Sequence, residues 1–509
     1  MKVMTRNMRK RLVFLALIAG MAGQVWGQVP VEKSNPMKVY MHYMPWFETP
    51  ETIGGWGWHW TMNTMDPDHV GADGQREIAS HYYPLIGPYA SRDKDVIEYH
   101  LLLMKLSGID GVLIDWYGTV GSNGDVKNLL KSSDSIVSYT DDFGMEFGVV
   151  MEDRFSRSIN DVKANLAYLK NNYFPRDEYI RTREGNEPLV CIFGPVTFED
   201  PADWTDALPS AGEEVAFLPL WYESGDAGSN ADGEYSWVYQ DETDHLTHLT
   251  NFYTTRAGQV DLAMSSAYPG FNDFYSEGGV GSGYFSIPHY YGSTLTETLG
   301  KAEDYSDRVD MLQLVTFNDF GEGTMFEPTV ESGFDYLVQV QDYTGVVYGE
   351  SDLELVHRLF LLRKDYEDDS EIQQQLEQAS QHLRNLEIDQ AATILNGIEL
   401  KSDGEVFLPG EEGNAGLSVF PNPWSDGPLQ IRVSPELRGP GSLRVHDLTG
   451  RLVYHASFEP GGGSMGSSAA FSPDRSSFLL DRSQLPQPGI YTLTYRSASG
   501  VATRRMIVH

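Results

Sequence analysis

Between residues 37 and 350, short apolar β-rich runs alternate with polar stretches patterned as helices, and this alternation restricts the fold more than any other feature. The runs are Val39-Tyr40-Met41-His42-Tyr43-Met44, Gly111-Val112-Leu113-Ile114-Asp115-Trp116, Phe147-Gly148-Val149-Val150-Met151 and Pro188-Leu189-Val190-Cys191-Ile192-Phe193. Phe217 to Tyr222, Trp237-Val238-Tyr239, Leu262 to Ser266 and Leu312 to Phe317 follow. Near-continuous apolar strands separated by helices indicate a parallel sheet covered on both faces. Eight runs in roughly 310 residues suit a (β/α)8 barrel, the TIM-barrel fold of the α/β class, better than an open doubly wound sheet. The Gly-rich phosphate fingerprints of nucleotide folds are absent, which argues the same way. Polar and aromatic residues gather where the runs end, as in Pro45-Trp46, Asp115-Trp116-Tyr117, Glu152-Asp153, Trp221-Tyr222-Glu223, Tyr268-Pro269-Gly270 and Asn318-Asp319. In a barrel those C-terminal strand ends form the active face.

The N-terminus bounds the compartment. Lys2, Arg6, Arg9, Lys10 and Arg11 precede the apolar run Leu12 to Gly20, and small residues lead to a cleavage site after Gly27. That is the pattern of a secretory signal peptide over residues 1–27, and the run is too short for a bilayer span. The mature chain is therefore expected outside the inner membrane, with no transmembrane span. Removing the five signal cations takes the formal net charge from −36 to −41. Such a surface repels phosphate backbones and excludes nucleic acid as a partner, whereas a neutral sugar polymer is compatible. The single cysteine, Cys191, rules out an internal disulfide and reads as a buried structural thiol. No HExxH, CxxC or EF-hand pattern is present, so neither a metal nor another cofactor is expected.

Residues 351–400 contain no proline and show helical periodicity through Leu353, Val356, Leu359 and Phe360, then Leu376, Ala379, Leu383 and Ala391. The first helix is expected to close the barrel and the next two to form a small hairpin on it. Residues 401–416 read as a linker. Residues 417–509 carry short alternating strands joined by turn residues, the pattern of a small β-sandwich. Leu417 to Pro423 (LSVFPNP), Asp447 to Arg451 (DLTGR), Pro488 to Tyr491 (PGIY) and the end Arg504-Arg505-Met506-Ile507-Val508-His509 together resemble the C-terminal sorting domain of type IX secretion cargo. The resemblance implies the type IX machinery as a partner and a secreted or outer-membrane-surface destination. An ordinary β accessory module is the alternative.

The densest chemistry lies in Thr316-Phe317-Asn318-Asp319-Phe320-Gly321-Glu322-Gly323-Thr324-Met325-Phe326-Glu327-Pro328. Glycosidic cleavage needs one group to protonate the leaving oxygen and another to act as base or nucleophile. Acids three apart on a straight strand face opposite ways; they converge only if the strand ends between them, and Gly321 and Gly323 give that freedom. Phe320 and Phe326 would shield the site and raise a carboxyl pKa. The competing reading, a β-to-α turn whose acids cap the next helix, is equally compatible with the spacing. Trp46, Trp56, Trp58 and Trp60 are too many for one core edge, so some are expected as sugar-stacking walls.

Several ordered motifs resemble glycoside hydrolase family 99, the endo-α-mannosidases and endo-α-mannanases, and more distantly family 71. They are Tyr43-Met44-Pro45-Trp46, Trp56 to Trp60, Tyr83 to Asp93 (YPLIGPYASRD), Gly108 to Trp116, Tyr268-Pro269-Gly270 and Asn318 to Pro328. The resemblance covers Val39 to Pro328. It implies that Glu322 is the general acid/base and that Asp319, where family 99 has Glu, deprotonates the sugar 2-hydroxyl to give an anhydro-sugar intermediate. It also implies substrate contacts from Tyr43, Trp116 and Glu152. Trp46, Trp58, His59, Trp60, Asp115, Trp221, Tyr268 and Asn318 complete the expected substrate-binding set, and Glu327 reads as structural. The expectation is a secreted glycoside hydrolase, endo-acting on an α-mannan- or α-glucan-type polysaccharide. The alternative is a surface glycan-binding barrel without catalysis.

Overall fold

The computed structural model describes residues 29–401, apart from 72, 73 and 183, and the strands of the tail between 417 and 508. Residues 1–27 and most of the expected linker fall outside the described residues. Strands β1 (Lys38–Tyr43), β2 (Gly111–Trp116), β3 (Glu146–Met151), β4 (Leu189–Ile192), β5 (Ala216–Pro219), β6 (Gly233–Tyr235), β7 (Leu262–Ala267) and β8 (Met311–Leu314) form one parallel sheet. Each pairs with its chain neighbour from β1 to β5 and from β6 to β8, and β8 returns to β1. The ring shuts between β5 and β6, where Leu220 bridges Tyr235 and the Trp221 N–H donates to the Tyr235 carbonyl at 2.8 Å. This is the expected (β/α)8 barrel.

The two faces of each strand lead to different cores, as a period of two requires. Val39, Met41, Tyr43, Val112, Ile114, Trp116, Phe147, Val149 and Met151 point outward into the layer beneath the helices. Tyr40, Met44, Leu113, Val150, Cys191, Leu218, Tyr235, Met264 and Val315 fill the barrel interior. Helices α1 (Lys94–Leu106), α2 (Val126–Phe143), α3 (Ile159–Asn172), α4 (Pro201–Ala207), α5 (His245–Asn251), α6 (Ser293–Asp304) and α7 (Asp335–Thr344) cover the outside. Cys191 is fully buried, and burial pushes its thiol pKa up.

Two expectations change. The sixth strand is Gly233–Tyr235, not Trp237–Tyr239; the apolar triplet lies just beyond the strand, with Trp237 packed inside the barrel top. Helix α7, not the helix after residue 350, closes the barrel. Helix α8 (Glu350–Asp365) instead packs on α1, where Arg363 grips Glu98 with two hydrogen bonds of 2.9 Å. A two-stranded hairpin, Phe271–Asn272 with Ser286–Ile287, is inserted after β7, a feature the strand and helix pattern of the sequence does not announce.

Helices α9 (Ser370–Arg384) and α10 (Ile388–Asn396) form the expected hairpin on this layer. In the tail, two four-stranded antiparallel sheets enclose Leu417, Ile431, Leu443, Val445, Leu480, Leu493 and Tyr495, an apolar cluster separate from those of the barrel. Among the described residues, no helix is long and apolar enough to cross a membrane.

Candidate active site

The turn after β8 is built by its own hydrogen bonds. The Thr316 hydroxyl accepts the Asp319 N–H at 2.8 Å, and the Asp319 carbonyl accepts the Gly323 N–H at 3.0 Å. Asp319 Oδ1 accepts the Glu322 N–H at 2.9 Å, so the two acids are locked in one tight loop. Gly323 has φ of +66°, and a Cβ there would stand 2.7 Å from the Asn272 carbonyl oxygen. The inserted hairpin pins the turn from above: Asn272 N–H donates to the Glu322 carbonyl and Phe274 N–H to the Gly321 carbonyl, both at 2.8 Å. It also delivers Tyr275, whose hydroxyl donates to Glu322 Oε1 at 2.9 Å.

Four carboxyl groups share this end of the barrel. Asp115 lies one residue before the end of β2 on its inward face and Glu152 follows β3 on its inward face, so both join the electrostatic field of Asp319 and Glu322. Burial pushes Glu322 up to about 7, against the Tyr275 hydrogen bond that opposes the rise. Glu152 is likewise pushed up to about 7 by burial, opposed by Arg154, whose Nε lies 2.7 Å from Glu152 Oε2. Burial raises Asp319, and the neighbouring Glu322 charge raises it further. Asp115, only 3 % exposed and with no hydrogen bond to Oδ2, is raised by burial and then by Glu152. One guanidinium among four buried acids cannot balance four negative charges, so the cluster holds protons near neutral pH. Asp153, next to Glu152, faces elsewhere: its carboxylate accepts the backbone N–H groups of Val196, Thr197 and Phe198 and anchors the loop after β4.

The other expected residues divide by strand register. Trp46 lies half-buried, stacked on His59 with centroids 4.0 Å apart and planes 4° from parallel. Burial lowers the His59 pKa to about 3, so this ring is neutral. Trp58 stands exposed beside them. Tyr268 is buried on the inward side with its hydroxyl 3.2 Å from His245 Nδ1.

Corrections apply to five of the expected substrate contacts. Tyr43 points outward and its hydroxyl meets His100 Nδ1 at 2.8 Å. Trp116, one residue past inward-facing Asp115, turns outward against Tyr168 and Tyr173. Trp60 is fully buried, donating its indole N–H to the Tyr89 carbonyl, and Trp221 packs with Phe252 beneath the helices. Asn318 is also buried, its amide tying the Met44 backbone to the Tyr89 hydroxyl. Glu327 accepts from that hydroxyl at 2.6 Å, a buried network supporting the turn from below. Phe320 packs at full burial against Phe47 and Trp60, behind the turn and not over it. Arg154 and Tyr275 escaped the sequence reading. Arg154 was legible as a lone cation following two strand-end acids; Tyr275 sits in an insertion with no motif.

Comparison with known proteins bears on this geometry. Residues 35–222 match the family model described as Glycosyl hydrolase family 99. A glycoprotein endo-alpha-1,2-mannosidase from Xenopus laevis is 20% identical over 335 residues, 60% of this chain and 73% of that protein. The Rattus norvegicus protein of the same name is 23% identical over 343 residues, 60% of this chain and 71% of its own. The barrel is that of a glycoside hydrolase. Its fold is similar to the solved GH99 endo-alpha-mannosidase from Bacteroides thetaiotaomicron, with a TM-score of 0.50 and 20% identity over 60% of this chain and 96% of that one. Among the described residues, no group of His, Cys, Asp or Glu is arranged to hold a metal ion.

Proposed function

We propose that the barrel hydrolyses α-mannosidic bonds within a polysaccharide, with Glu322 as general acid/base and Asp319 as its partner carboxyl. The observation that carries this reading is the shared burial of Asp319 and Glu322 on one hydrogen-bonded turn, with Glu322 pushed up to about 7. A carboxyl titrating there is protonated often enough to act as an acid and ionised often enough to act as a base. The mannosidase names of the similar proteins point to the sugar.

Glu322 gives its proton to the leaving glycosidic oxygen as the bond to the anomeric carbon breaks. The Glu322 N–H on Asp319 Oδ1 favours negative charge at Asp319, which takes the proton of the sugar 2-hydroxyl as that oxygen attacks the anomeric carbon. Water then opens the anhydro ring: Glu322 takes the water proton and Asp319 returns its own to the 2-oxygen. Glu152, held by Arg154, and Asp115 face the sugar hydroxyls. The signal segment 1–27 and the tail 417–509 fit export through the type IX route, with delivery to the medium or the outer surface.

The test is product formation from α-mannans, α-glucans and algal polysaccharides, with Glu322→Gln and Asp319→Asn beside the natural chain. The expected result is oligosaccharide release from α-mannan, reduced about 100-fold or more in each variant. Equal binding of one polymer by all three proteins, with no cleavage, would replace the enzyme by a glycan-binding barrel. Fractionation of producing cells checks export, which a purely intracellular chain would refute.

A further inference from the structure

We infer that the loops after β6 and β7 form a track of sugar-binding subsites leading away from Glu322, shaped for successive units of a long, uncharged polysaccharide. The inference rests on the hydrolase reading for its direction.

The track starts at the acid itself. Tyr275 donates to Glu322, and its ring meets that of Tyr284 edge-on at 5.7 Å. Tyr284 is 76 % exposed. Its chain neighbour Phe285 packs on Phe271 at 4.5 Å and meets Tyr239 at 5.9 Å. Tyr239, also exposed, rests on His248 at 4.9 Å. A single exposed tyrosine needs no explanation. Here one exposed ring, Tyr284, meets the tyrosine bound to a buried acid, and the other, Tyr239, meets the ring of the next residue along the chain, Phe285; flat rings of this kind stack on the C–H faces of pyranose units.

The loops are braced. Asp273 accepts the backbone N–H of Tyr275 at 3.1 Å and of Tyr284 at 2.8 Å, joining the two ends of the excursion. Gly283 makes the turn before Tyr284 at φ of +73°, and a Cβ there would lie 2.8 Å from Asp273 Oδ1. Gln240 donates to the Ser286 carbonyl at 3.2 Å and fastens the Tyr239 loop to the Tyr284 loop. Rings held in place lose little freedom when a ligand arrives.

Charge selects the ligand. Asp241, on the His248 ring beneath Tyr239, and Asp273, between Tyr275 and Tyr284, set carboxylates along the path. Uronate or sulfate groups would meet repulsion along it, whereas neutral hexoses would not.

The test compares kcat/KM on α-mannan with kcat/KM on a short α-1,2-linked manno-oligosaccharide for Tyr284→Ala, Tyr239→Ala and Tyr284→Phe. The polymer-to-oligosaccharide ratio is expected to fall about tenfold in each alanine variant, the loss of one stacked ring, and to stay near the natural value in Tyr284→Phe. In parallel, affinity electrophoresis in α-mannan gels follows the same changes in a Glu322→Gln background, where cleavage plays no part. Retarded migration of Glu322→Gln that the alanine changes abolish supports the track even where hydrolysis is absent. An unchanged ratio, an equal loss on both substrates, or retardation that survives both alanines overturns it and leaves the hydrolase reading standing.

Discussion

At the scale of single residues, burial moves all four acids the same way. It holds Glu322 and Glu152 up at about 7 and raises Asp115 and Asp319. A carboxyl whose folded pKa exceeds its unfolded value favours the fold while protonated, and that contribution is lost as pH climbs from the ordinary carboxylate range through about 7. The protein is therefore expected to be more stable at pH near 5 than near 8, and Glu322→Gln should flatten that slope while raising stability near pH 8 by about 1–3 kcal/mol. Thermal unfolding across pH reads it; a variant as pH-sensitive as the natural chain would contradict the assignment. Tyr275 gives a kinetic counterpart. Its O–H favours ionised Glu322, so Tyr275→Phe should move the alkaline limb of kcat/KM to higher pH. Asp115 is expected to act as a neutral donor to a sugar hydroxyl, because its buried Oδ2 has no partner. Asp115→Asn, which keeps a donor, should then retain much more activity than Asp115→Ala; equal losses would point to an ionised role.

At the scale of elements, the hairpin after β7 and the turn after β8 work as one unit. Gly323 is the joint between them, left-handed and pressed on Asn272. Gly323→Ala should cost about 1–3 kcal/mol of stability and lower kcat more than it raises KM, since it displaces Glu322 before any ligand binds. Unfolding midpoints and steady-state kinetics check both parts. The β-rich runs revealed seven of the eight strands, because strands buried on both faces are written as apolar runs. Gly233-Glu234-Tyr235 carries no such run, and the apolar triplet beside it drew the strand four residues late. The register of β2 decides the other misreading: Asp115 and Trp116 both looked functional, but neighbours on a strand cannot share a face. The acids of Asn318 to Glu322 were legible because their spacing and glycines encode the turn. Tyr275 was not, because its contact with Glu322 spans 47 residues and depends on a hairpin that only the folded barrel sets in place.

At the scale of the whole molecule, charged side chains link the described residues of the tail to the barrel. Arg496 and Arg444 both reach Asp335 at the start of α7, and His446 lies 3.9 Å from Glu350. The apolar cluster of the tail is its own. These pairs are partly buried at the seam, and salt that reaches them screens their attraction. After proteolytic separation between Lys401 and Leu417, the two pieces should therefore co-elute at low ionic strength and part at about 0.5 M salt. Asp335→Ala should separate them without salt, and pieces that stay together in both conditions would reveal an apolar interface instead.

Cys191 decides how the protein can be handled and labelled. It points into the barrel among apolar neighbours, and its thiol is held protonated. The fold owes nothing to oxidation, so the chain should regain activity from denaturant in the presence of a strong reductant as fully as without it. Because the single cysteine is buried, the surface offers no competing thiol. A cysteine placed at an exposed position such as Val347 would take a single maleimide dye in the native state, making the protein a ready subject for single-molecule tracking on its polymer.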